Sequence, residues 1–439
     1  MTKTSVHEQI ENLINSIGKE FNTLKYVYND AKFVPGTTPA YYSGPYWDST
    51  EIVEAIKSLI LGSWLSAGEN VDLFEKVFSI KFNQRHSVMV NSGSSANLML
   101  IAALKKVFGW KDGDEIILSV VGFPTTLSAI VINNLKPVFI DIEIDTLNFD
   151  LSLIEKNINS KTKAIFLSPV LGNTCDIDFL VELCNKKNIM LVLDNCDSLG
   201  SKWNGKFLNE YAIASSQSFY PAHHITTGEG GMVCSDNYEI IKTARSIAWW
   251  GRDCSCVGSQ NIIPNGICKK RFAKWLPDYD KIIDHKYFFV NLGYNLKPLD
   301  LQGSIGQVQI KKFDEIHKKR VNSKNKIQKI FEKYIPEARI INELPKASTS
   351  WFGTPVICDN YDFKQKLVTY LEKNKIQTRN YFAGNLLLHP AYKEFGDFKD
   401  YPVANRVLDE VFFVGASPHY NEEIFGYFET VLKNFKNEK

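Results

Sequence analysis

The sequence predicts an α/β protein with a mainly parallel sheet flanked by helices, followed by a smaller α+β region. From about residue 50 to residue 300, short apolar runs alternate with helical patterns. Some runs, such as residues 189–193, are apolar on both faces, which is typical of strands covered by helices on both sides of a sheet. Beyond residue 300, a long helical stretch rich in Lys and Gln leads into a region of different pattern.

The predicted elements follow in order along the chain. Residues 1–21 carry apolar side chains at helical spacing and begin an N-terminal helical arm that we extend to residue 48. Further helices are predicted at residues 49–60, 70–82, 96–107 and 300–334. Strands are predicted at residues 87–91, 115–120, 137–141, 164–169, 190–194, 212–218 and 232–235. We therefore expect a large domain at residues 49–300 and a small C-terminal domain at residues 301–439.

Composition excludes several classes of function. The chain has 439 residues and a formal net charge of +2, so it offers no strong field to hold a nucleic acid. No run approaches the roughly 18–20 apolar residues that a membrane span needs, and the N-terminal segment lacks the apolar region of a signal peptide. We expect a cytoplasmic protein with no nucleic-acid or membrane partner, whose eight cysteines do not form structural disulfides.

The first motif that carries chemistry joins a predicted strand to a predicted helix. Its small residues Gly93, Ser94 and Ser95 let backbone amides approach an anion at the helix N-terminus. A phosphate group fits such a site. An ordinary helix cap is the alternative, and the motif alone does not separate the two.

The second motif is Asp194, which follows an apolar strand at the edge where α/β sheets place their ligands. A carboxylate at this place needs a cation or a hydrogen-bond donor. A protonated pyridine nitrogen is one such partner, as in enzymes that use pyridoxal 5′-phosphate (PLP). A helix-capping aspartate is the alternative.

The third segment runs from Ser218 to His224 and is followed by a Gly-Glu-Gly-Gly turn at residues 228–231. Together the three segments resemble the DegT/DnrJ/EryC1 sugar aminotransferases, which are fold-type I PLP enzymes. In that family a lysine five residues after the serine bonds covalently to the cofactor. His223 stands at this position here. The resemblance implies a fold-type I aminotransferase fold with a mainly parallel seven-stranded sheet and a smaller α+β C-terminal domain.

The histidine changes the chemistry that the resemblance implies. Without the amine the cofactor is held non-covalently, so pyridoxamine 5′-phosphate (PMP) is the expected resting form. His223 is then expected to act as a base at C4′ of the cofactor, because histidine titrates near neutral pH. The resemblance also implies that Phe123 stacks on the pyridine ring and that Asp197 and Ser218 contact the cofactor.

Residues 291–295 resemble a Gly-Tyr-Asn segment that, in this family, reaches into the active site of the neighbouring subunit. The resemblance therefore implies a homodimer. It makes Asn295 a phosphate contact across the subunit interface.

Four cysteines form a further signature: Cys196, Cys254, Cys256 and Cys268. The intervening gaps are 57 residues, one residue and eleven residues. Four thiolates are the usual ligands of an iron–sulfur cluster, and zinc is the rival metal. Because Cys196 lies two residues after Asp194, a cluster on these cysteines would lie close to the cofactor.

The histidine and the 57-residue gap together resemble one branch of the family, the CDP-4-keto-6-deoxy-D-glucose 3-dehydrases of 3,6-dideoxyhexose biosynthesis. The resemblance implies a PMP-dependent, [2Fe-2S]-containing C3 dehydrase. Its substrate would be a nucleotide-linked 4-keto-6-deoxy sugar for O-antigen, and its electrons would come from an NADH-dependent flavin/iron–sulfur reductase. The gap before Cys268 is longer than in that branch.

Two other readings stay open at this stage. The first is a cluster-free 3-dehydratase that releases ammonia. The second is a non-catalytic, zinc-stapled protein that binds sugar nucleotides. The sequence also does not identify the nucleotide, which is CDP by resemblance and otherwise dTDP, UDP or GDP.

Overall fold

The structure is a computed structural model that describes residues 3–21, 32–254, 268, 270–273 and 276–437. Its helices are α1 (Lys3–Phe21), α2 (Ser49–Leu61), α3 (Glu69–Lys81), α4 (Gly93–Phe108), α5 (Pro124–Ile132), α6 (Leu151–Ile154), α7 (Ile177–Lys187), α8 (Tyr238–Ala248), α9 (Asp300–Tyr334), α10 (Tyr361–Lys373), α11 (Pro402–Glu410) and α12 (Glu422–Asn437). None of the helices in these ranges carries an apolar stretch long enough to cross a membrane. The cytoplasmic location stays a prediction.

The strands that form the large sheet are β1 (His86–Val90), β2 (Glu115–Ser119), β3 (Lys136–Ile140), β6 (Thr162–Leu167), β7 (Met190–Asp194), β10 (Ala214–Ser218) and β11 (Gly231–Ser235). The remaining strands are β4 (Ile142–Glu143), β5 (Asn148–Phe149), β8 (Lys202–Trp203), β9 (Lys206–Phe207), β12 (Ala338–Ile340), β13 (Ala347–Ser348), β14 (Gly353–Cys358), β15 (Thr378–Asn380) and β16 (Val411–Gly415).

The large sheet has seven strands in the order β1-β11-β10-β7-β6-β2-β3. Strands β10, β7, β6, β2 and β3 pair in parallel, whereas β11 runs antiparallel to both of its neighbours. The predicted seven-stranded, mainly parallel sheet is therefore confirmed. Its central strands are apolar and buried on both faces because helices cover both sides.

Helix α4 begins three residues before its predicted start at Ala96. The cause is Ser92, whose hydroxyl accepts a hydrogen bond from the backbone amide of Ser95 at 3.1 Å and caps the helix. Gly93 and Ser94 therefore form the first helical turn rather than a preceding loop. This places their amides at the positive end of a 16-residue helix.

A second sheet, in the order β12-β14-β16-β15, is antiparallel throughout. Helix α9 begins at Asp300, as predicted, and packs against α2 and α3 as well as against α12, β12 and β14. The carboxylate of Asp300 anchors this start by accepting hydrogen bonds from the Gly68 amide and the Asn70 side chain, both at 2.8 Å. The domain boundaries at residues 48 and 300 stay predictions.

Candidate active site

A cavity of about 700 Å³ opens at the carboxyl ends of β7 and β10, beside the start of α4. Its lining includes titratable, aromatic and small polar side chains: Tyr42, Ser92, Gly93, Ser94, Asn97, Phe123, Thr125, Ser168, Asp194, Cys196, Asp197, Ser218, Tyr220, Ala222, His223, Glu229, Phe352, Arg379, Asn380, Phe382 and Phe413. Among the residues that the structure describes, no lysine lines this cavity. The structure thus brings most of the predicted site residues together.

The start of α4 forms one wall of the cavity. Gly93 and Ser94 line it, and their amides have no acceptor one turn earlier in the helix. A Cβ atom on Gly93 would lie 2.5 Å from Cβ of Ser218, so only glycine lets α4 approach the end of β10 this closely. Ser95 does not line the cavity, and its hydroxyl donates to Oδ1 of Asn91 at 2.7 Å. A cofactor contact from Ser95 stays a prediction.

Asp194 ends β7 and is 4% exposed. Its Oδ2 atom accepts hydrogen bonds from Nδ2 of Asn97 at 2.7 Å and from the Thr126 hydroxyl at 2.6 Å. Its Oδ1 atom accepts the Cys196 amide at 3.2 Å. The hydroxyl of Ser216 donates to Oδ1 of Asn97 and fixes the orientation of that amide. Asp194 is therefore a buried, rigidly oriented carboxylate at the floor of the cavity.

His223 lies on the turn after β10, and its ring packs against Phe352 with 5.1 Å between the ring centroids. Its Nδ1 atom lies 3.6 Å from Oδ1 of Asp197, which is too long for a hydrogen bond. Burial, and then the charge of Arg320, lower the pKa of His223 to about 3. Burial, and then the charge of Asp194, raise the pKa of Asp197 to about 8. The imidazole is therefore neutral near pH 7, and at 3.6 Å the two side chains do not form an ion pair.

Aromatic side chains and one arginine surround the mouth of the cavity. Phe123 is 48% exposed and meets Phe382 edge to face, with 6.0 Å between the centroids. The guanidinium of Arg379 lies 4.3 Å from the ring centroid of Tyr42, and its Nη1 donates to the Thr378 carbonyl at 2.7 Å. Phe123 is thus placed to cover a planar ligand, and Arg379 adds a cation next to it.

The sequence profile of the DegT/DnrJ/EryC1/StrS aminotransferase family matches residues 47–427 of this chain. The chain belongs to this family. It is 33% identical, over 99% of each chain, to the lipopolysaccharide biosynthesis protein RfbH of Salmonella typhimurium. It is 34% identical, over 92% of this chain and 88% of the relative, to the dTDP-4-dehydro-2,6-dideoxy-D-glucose 3-dehydratase of Saccharopolyspora spinosa.

Solved structures of family members have the same fold. The E. coli GDP-4-keto-6-deoxy-D-mannose-3-dehydratase with bound hydrated PLP superimposes with a TM-score of 0.79 at 28% identity, over 90% of this chain and 100% of that one. A GDP-4-keto-6-deoxymannose-3-dehydratase with a trapped PLP-glutamate geminal diamine gives a TM-score of 0.77 at 29% identity, over the same shares. These findings confirm the predicted family and the fold-type I fold, and they support a PLP-type cofactor.

The cavity of this family member fits such a cofactor. The amides of Gly93 and Ser94 suit a phosphate, Asp194 suits a protonated ring nitrogen, and Phe123 suits the ring face. The Nδ1 atom of His223 is buried without a hydrogen-bond partner among the described residues, and His223 lines this cavity. The residues present are thus compatible with PMP or PLP.

Asn295 does not line the cavity of its own chain. It lies in an exposed segment, where its side-chain oxygen accepts a hydrogen bond from Lys297. The neighbouring Leu292 is 97% exposed and Tyr294 is 45% exposed. A phosphate contact by Asn295 therefore requires a second subunit, and that contact stays a prediction.

The described cysteines do not fit the expected cluster. Within the described residues, no group of three or more Cys, His, Asp or Glu side chains could hold a metal ion, so Cys196, Cys254 and Cys268 do not gather. Cys196 lines the main cavity at the end of β7, whereas Cys254 lines a separate cavity of about 250 Å³ beside α8. Their different positions in the fold explain the mismatch. Cys256, the fourth predicted ligand, lies outside the described residues.

Sequence reasoning missed three contributors to the site. Asn97 and Thr126 hydrogen-bond to Asp194, and Asn97 lies one helical turn after Gly93, which is a signal that the sequence did contain. Arg320 is distant along the chain and gives no local signal, because an arginine within a Lys-rich helix is ordinarily an exposed residue.

Proposed function

We propose that this protein is a PMP-dependent 3-dehydratase of a nucleotide-linked 4-keto-6-deoxy sugar. The observation that carries the proposal is an imidazole, that of His223, in a cavity whose described lining contains no lysine. A covalent tether to the cofactor is therefore missing, while a buried base is present. Two relatives at 33–34% identity are named 3-dehydratases of nucleotide-linked sugars, and RfbH is named a lipopolysaccharide biosynthesis protein. These names support the proposed dehydratase function.

Each cavity residue then has a defined task. Gly93 and Ser94 hold the cofactor phosphate, Asp194 keeps the pyridine nitrogen protonated, and Phe123 covers the ring. Ser218 and Asp197 provide the remaining contacts to the cofactor. When bound, PMP supplies an amine that condenses with the sugar ketone and a pyridinium ring that takes up an electron pair.

His223 moves the proton. The imidazole is neutral near pH 7, because burial and Arg320 lower its pKa, so Nε2 or Nδ1 is available to accept the proton at C4′. The C3–O bond of the sugar then breaks, and the hydroxyl leaves as water after taking up one proton. The imidazolium that forms in this buried place is a strong acid, so His223 is also suited to supply that proton.

Arg379 provides the binding site for the nucleotide diphosphate. It is the only cationic side chain among the described residues that line the cavity, where Asp194, Asp197 and Glu229 are acidic. A diphosphate brings at least two negative charges that need a counter-charge. The stacking of Arg379 on Tyr42 holds the guanidinium at the cavity mouth. Our proposed substrate is CDP-4-keto-6-deoxy-D-glucose, on its way to a 3,6-dideoxyhexose of the O-antigen.

The proposed assembly is a homodimer in which Asn295 contacts the phosphate of the partner's cofactor. Its support is an exposed apolar segment around this residue, with Leu292 97% exposed and Val290 40% exposed. Light scattering after gel filtration tests the dimer. A monomer at micromolar concentration would contradict it.

Two routes to a 3-deoxy product compete. A cluster-free route would release ammonia and leave the cofactor as PLP, and glutamate would then supply the amine that restores PMP. The separation of the described cysteines favours this route. A [2Fe-2S] cluster with an NADH-dependent flavin/iron–sulfur reductase is the second candidate, and the presence of Cys196 in the main cavity favours it.

The test is an incubation of PMP-loaded protein with the CDP, dTDP, GDP and UDP forms of 4-keto-6-deoxy-hexose. Mass spectrometry is expected to show a nucleotide sugar lighter by one oxygen atom with the CDP substrate. Iron and sulfide determination on anaerobically purified protein, with an ammonia assay, separates the two routes. An amino sugar as the sole product would contradict the dehydratase.

A further inference from the structure

Arg320 is a fully buried cation close to the proposed base. It lies on α9 and is 0% exposed. Its Nη2 atom donates to the carbonyl oxygen of His223 at 2.9 Å and to that of Ala222 at 3.0 Å. Its Nη1 atom donates to the Phe352 carbonyl at 3.1 Å. Its Nη2 atom also lies 3.4 Å from the Ser43 hydroxyl. Within the described residues, this guanidinium therefore hydrogen-bonds to three backbone oxygens and one hydroxyl, and to no carboxylate.

These contacts join segments that are far apart in the sequence. The turn with Ala222 and His223 is tied to the segment that carries Phe352, whose ring packs on the His223 imidazole. The hydroxyl of Ser43 donates to the same Ala222 oxygen at 2.6 Å, next to Tyr42 in the cavity wall. One side chain thus fixes the backbone of the base and the aromatic ring on which the base rests.

General stability does not explain the choice of arginine at this place. Burying a cation costs solvation free energy, and an apolar side chain of similar volume often stabilises a core as well or better. The three carbonyl oxygens point at the guanidinium from two different segments. A planar fork with five N–H donors can serve all three, whereas a lysine ammonium on a flexible stem cannot hold the same geometry.

We propose that Arg320 is a positioning residue for His223: its guanidinium clamps the Ala222 and His223 carbonyls to the Phe352 segment and so fixes the imidazole relative to the bound cofactor and sugar. The proposal rests on the proposed function, because it assigns the base of that reaction its orientation. It adds a residue that contacts neither cofactor nor substrate. A misplacement of the base by about 1 Å is enough to slow proton transfer strongly.

Arg320→Lys and Arg320→Met test the clamp in the PMP-loaded protein. The readout that does not depend on activity is hydrogen–deuterium exchange of the peptide that covers residues 219–228. We expect exchange there to become about tenfold faster or more in both variants, because two charge-assisted hydrogen bonds to this turn are lost. Elsewhere, outside the contacts of α9, exchange is expected to stay at the wild-type rate.

The matched control is Arg245→Lys. Arg245 is also a buried arginine, on α8, but it pairs with Glu75 at 2.7 Å outside the cavity. This variant is expected to lower the unfolding temperature without changing exchange in residues 219–228 or turnover. If Arg320→Met does not fold, Arg320→Lys alone carries the test against this control.

The kinetic expectation is a fall in kcat with little change in KM or in the PMP dissociation constant, because Arg320 touches neither ligand. Wild-type exchange in residues 219–228 together with a wild-type kcat in Arg320→Lys would overturn the clamp. The proposed function fails in a different way: wild-type protein would then bind PMP without dehydrating any sugar nucleotide, while the exchange experiment would still report on the turn.

Discussion

A single methyl group at Gly93 is predicted to disable the phosphate site. In Gly93→Ala, the new Cβ atom would lie 2.5 Å from Cβ of Ser218, 2.8 Å from its Oγ and 3.1 Å from its Cα. The Cα and Cβ atoms of Ser218 are fixed by the backbone at the end of β10, within the large sheet, and cannot rotate away. The start of α4 must therefore move, and the backbone of Gly93 is ordinary helix, so the effect is purely steric.

The size of the effect follows from these distances. Carbon atoms in contact lie about 3.5–4.0 Å apart, so the helix start has to retreat by about 1 Å. Overpacking of this kind costs about 1–3 kcal/mol of stability. The same retreat stretches two amide–phosphate hydrogen bonds, each worth about 1.5–3 kcal/mol. We expect the PMP dissociation constant to rise by about 10- to 1000-fold.

Fluorescence or absorbance titration with PMP measures the effect. The control is Gly122→Ala, since a Cβ atom at this glycine, which precedes Phe123 in the sequence, meets nothing within 4 Å. In Gly93→Ala combined with Ser218→Gly, the contact at 2.5 Å is gone. Because Ser218 is itself a proposed cofactor contact, the reference is Ser218→Gly, and adding Gly93→Ala to it should weaken PMP binding less than Gly93→Ala does in the wild type. Wild-type PMP affinity in Gly93→Ala would refute the reasoning about the helix start.

Three further predictions concern binding, pH and stability. Arg379→Gln is expected to raise KM for the nucleotide sugar by about tenfold or more and to leave the affinity for PMP unchanged. An equal loss of affinity for the nucleotide sugar and for PMP, measured by titration, would contradict this role. His419 is half-buried, and this burial lowers its pKa to about 4, so its stabilising contribution is present above pH 6.5 and is lost as the pH falls towards 4. The free energy of unfolding, measured with denaturant at several pH values, should fall with acid by about 3 kcal/mol less in His419→Gln than in the wild type. The same pH dependence in both proteins would contradict this. Arg245→Met should lower the free energy of unfolding by about 3–5 kcal/mol because it leaves Glu75 buried and unpaired, and Glu75→Gln in the same chain should restore part of it.

The central sheet was predictable because its strands are short, apolar and separated by helical patterns. Met190–Asp194 has the same bounds in the sequence prediction and in the structure. The start of α4 was predicted too late, since a Ser-Gly-Ser-Ser segment has the composition of a loop and only the hydrogen bond from the Ser95 amide to Ser92 makes it helical. Local patterns therefore located the elements, while capping geometry set their ends.

The site was predictable where its residues follow strands and form motifs, as with Asp194 and His223. Arg320 was not predictable, because its contacts to the His223 turn span 97 residues of sequence. The cysteine spacing predicted a cluster, yet Cys196 and Cys254 line different cavities. Spacing along the chain does not determine the distance between these side chains, because four strands and helix α8 lie between Cys196 and Cys254.

The most direct test of the proposed function follows the hydrogen at C4′ in His223→Asn. Protein loaded with PMP tritiated at C4′ receives the 4-keto-6-deoxy sugar nucleotide, and tritium release to water is measured alongside PMP affinity. We predict that the variant binds PMP as the wild type does and that it releases tritium about 10²- to 10⁴-fold more slowly. Release at the wild-type rate from His223→Asn would show that another group takes the proton, and this result would contradict the proposed function.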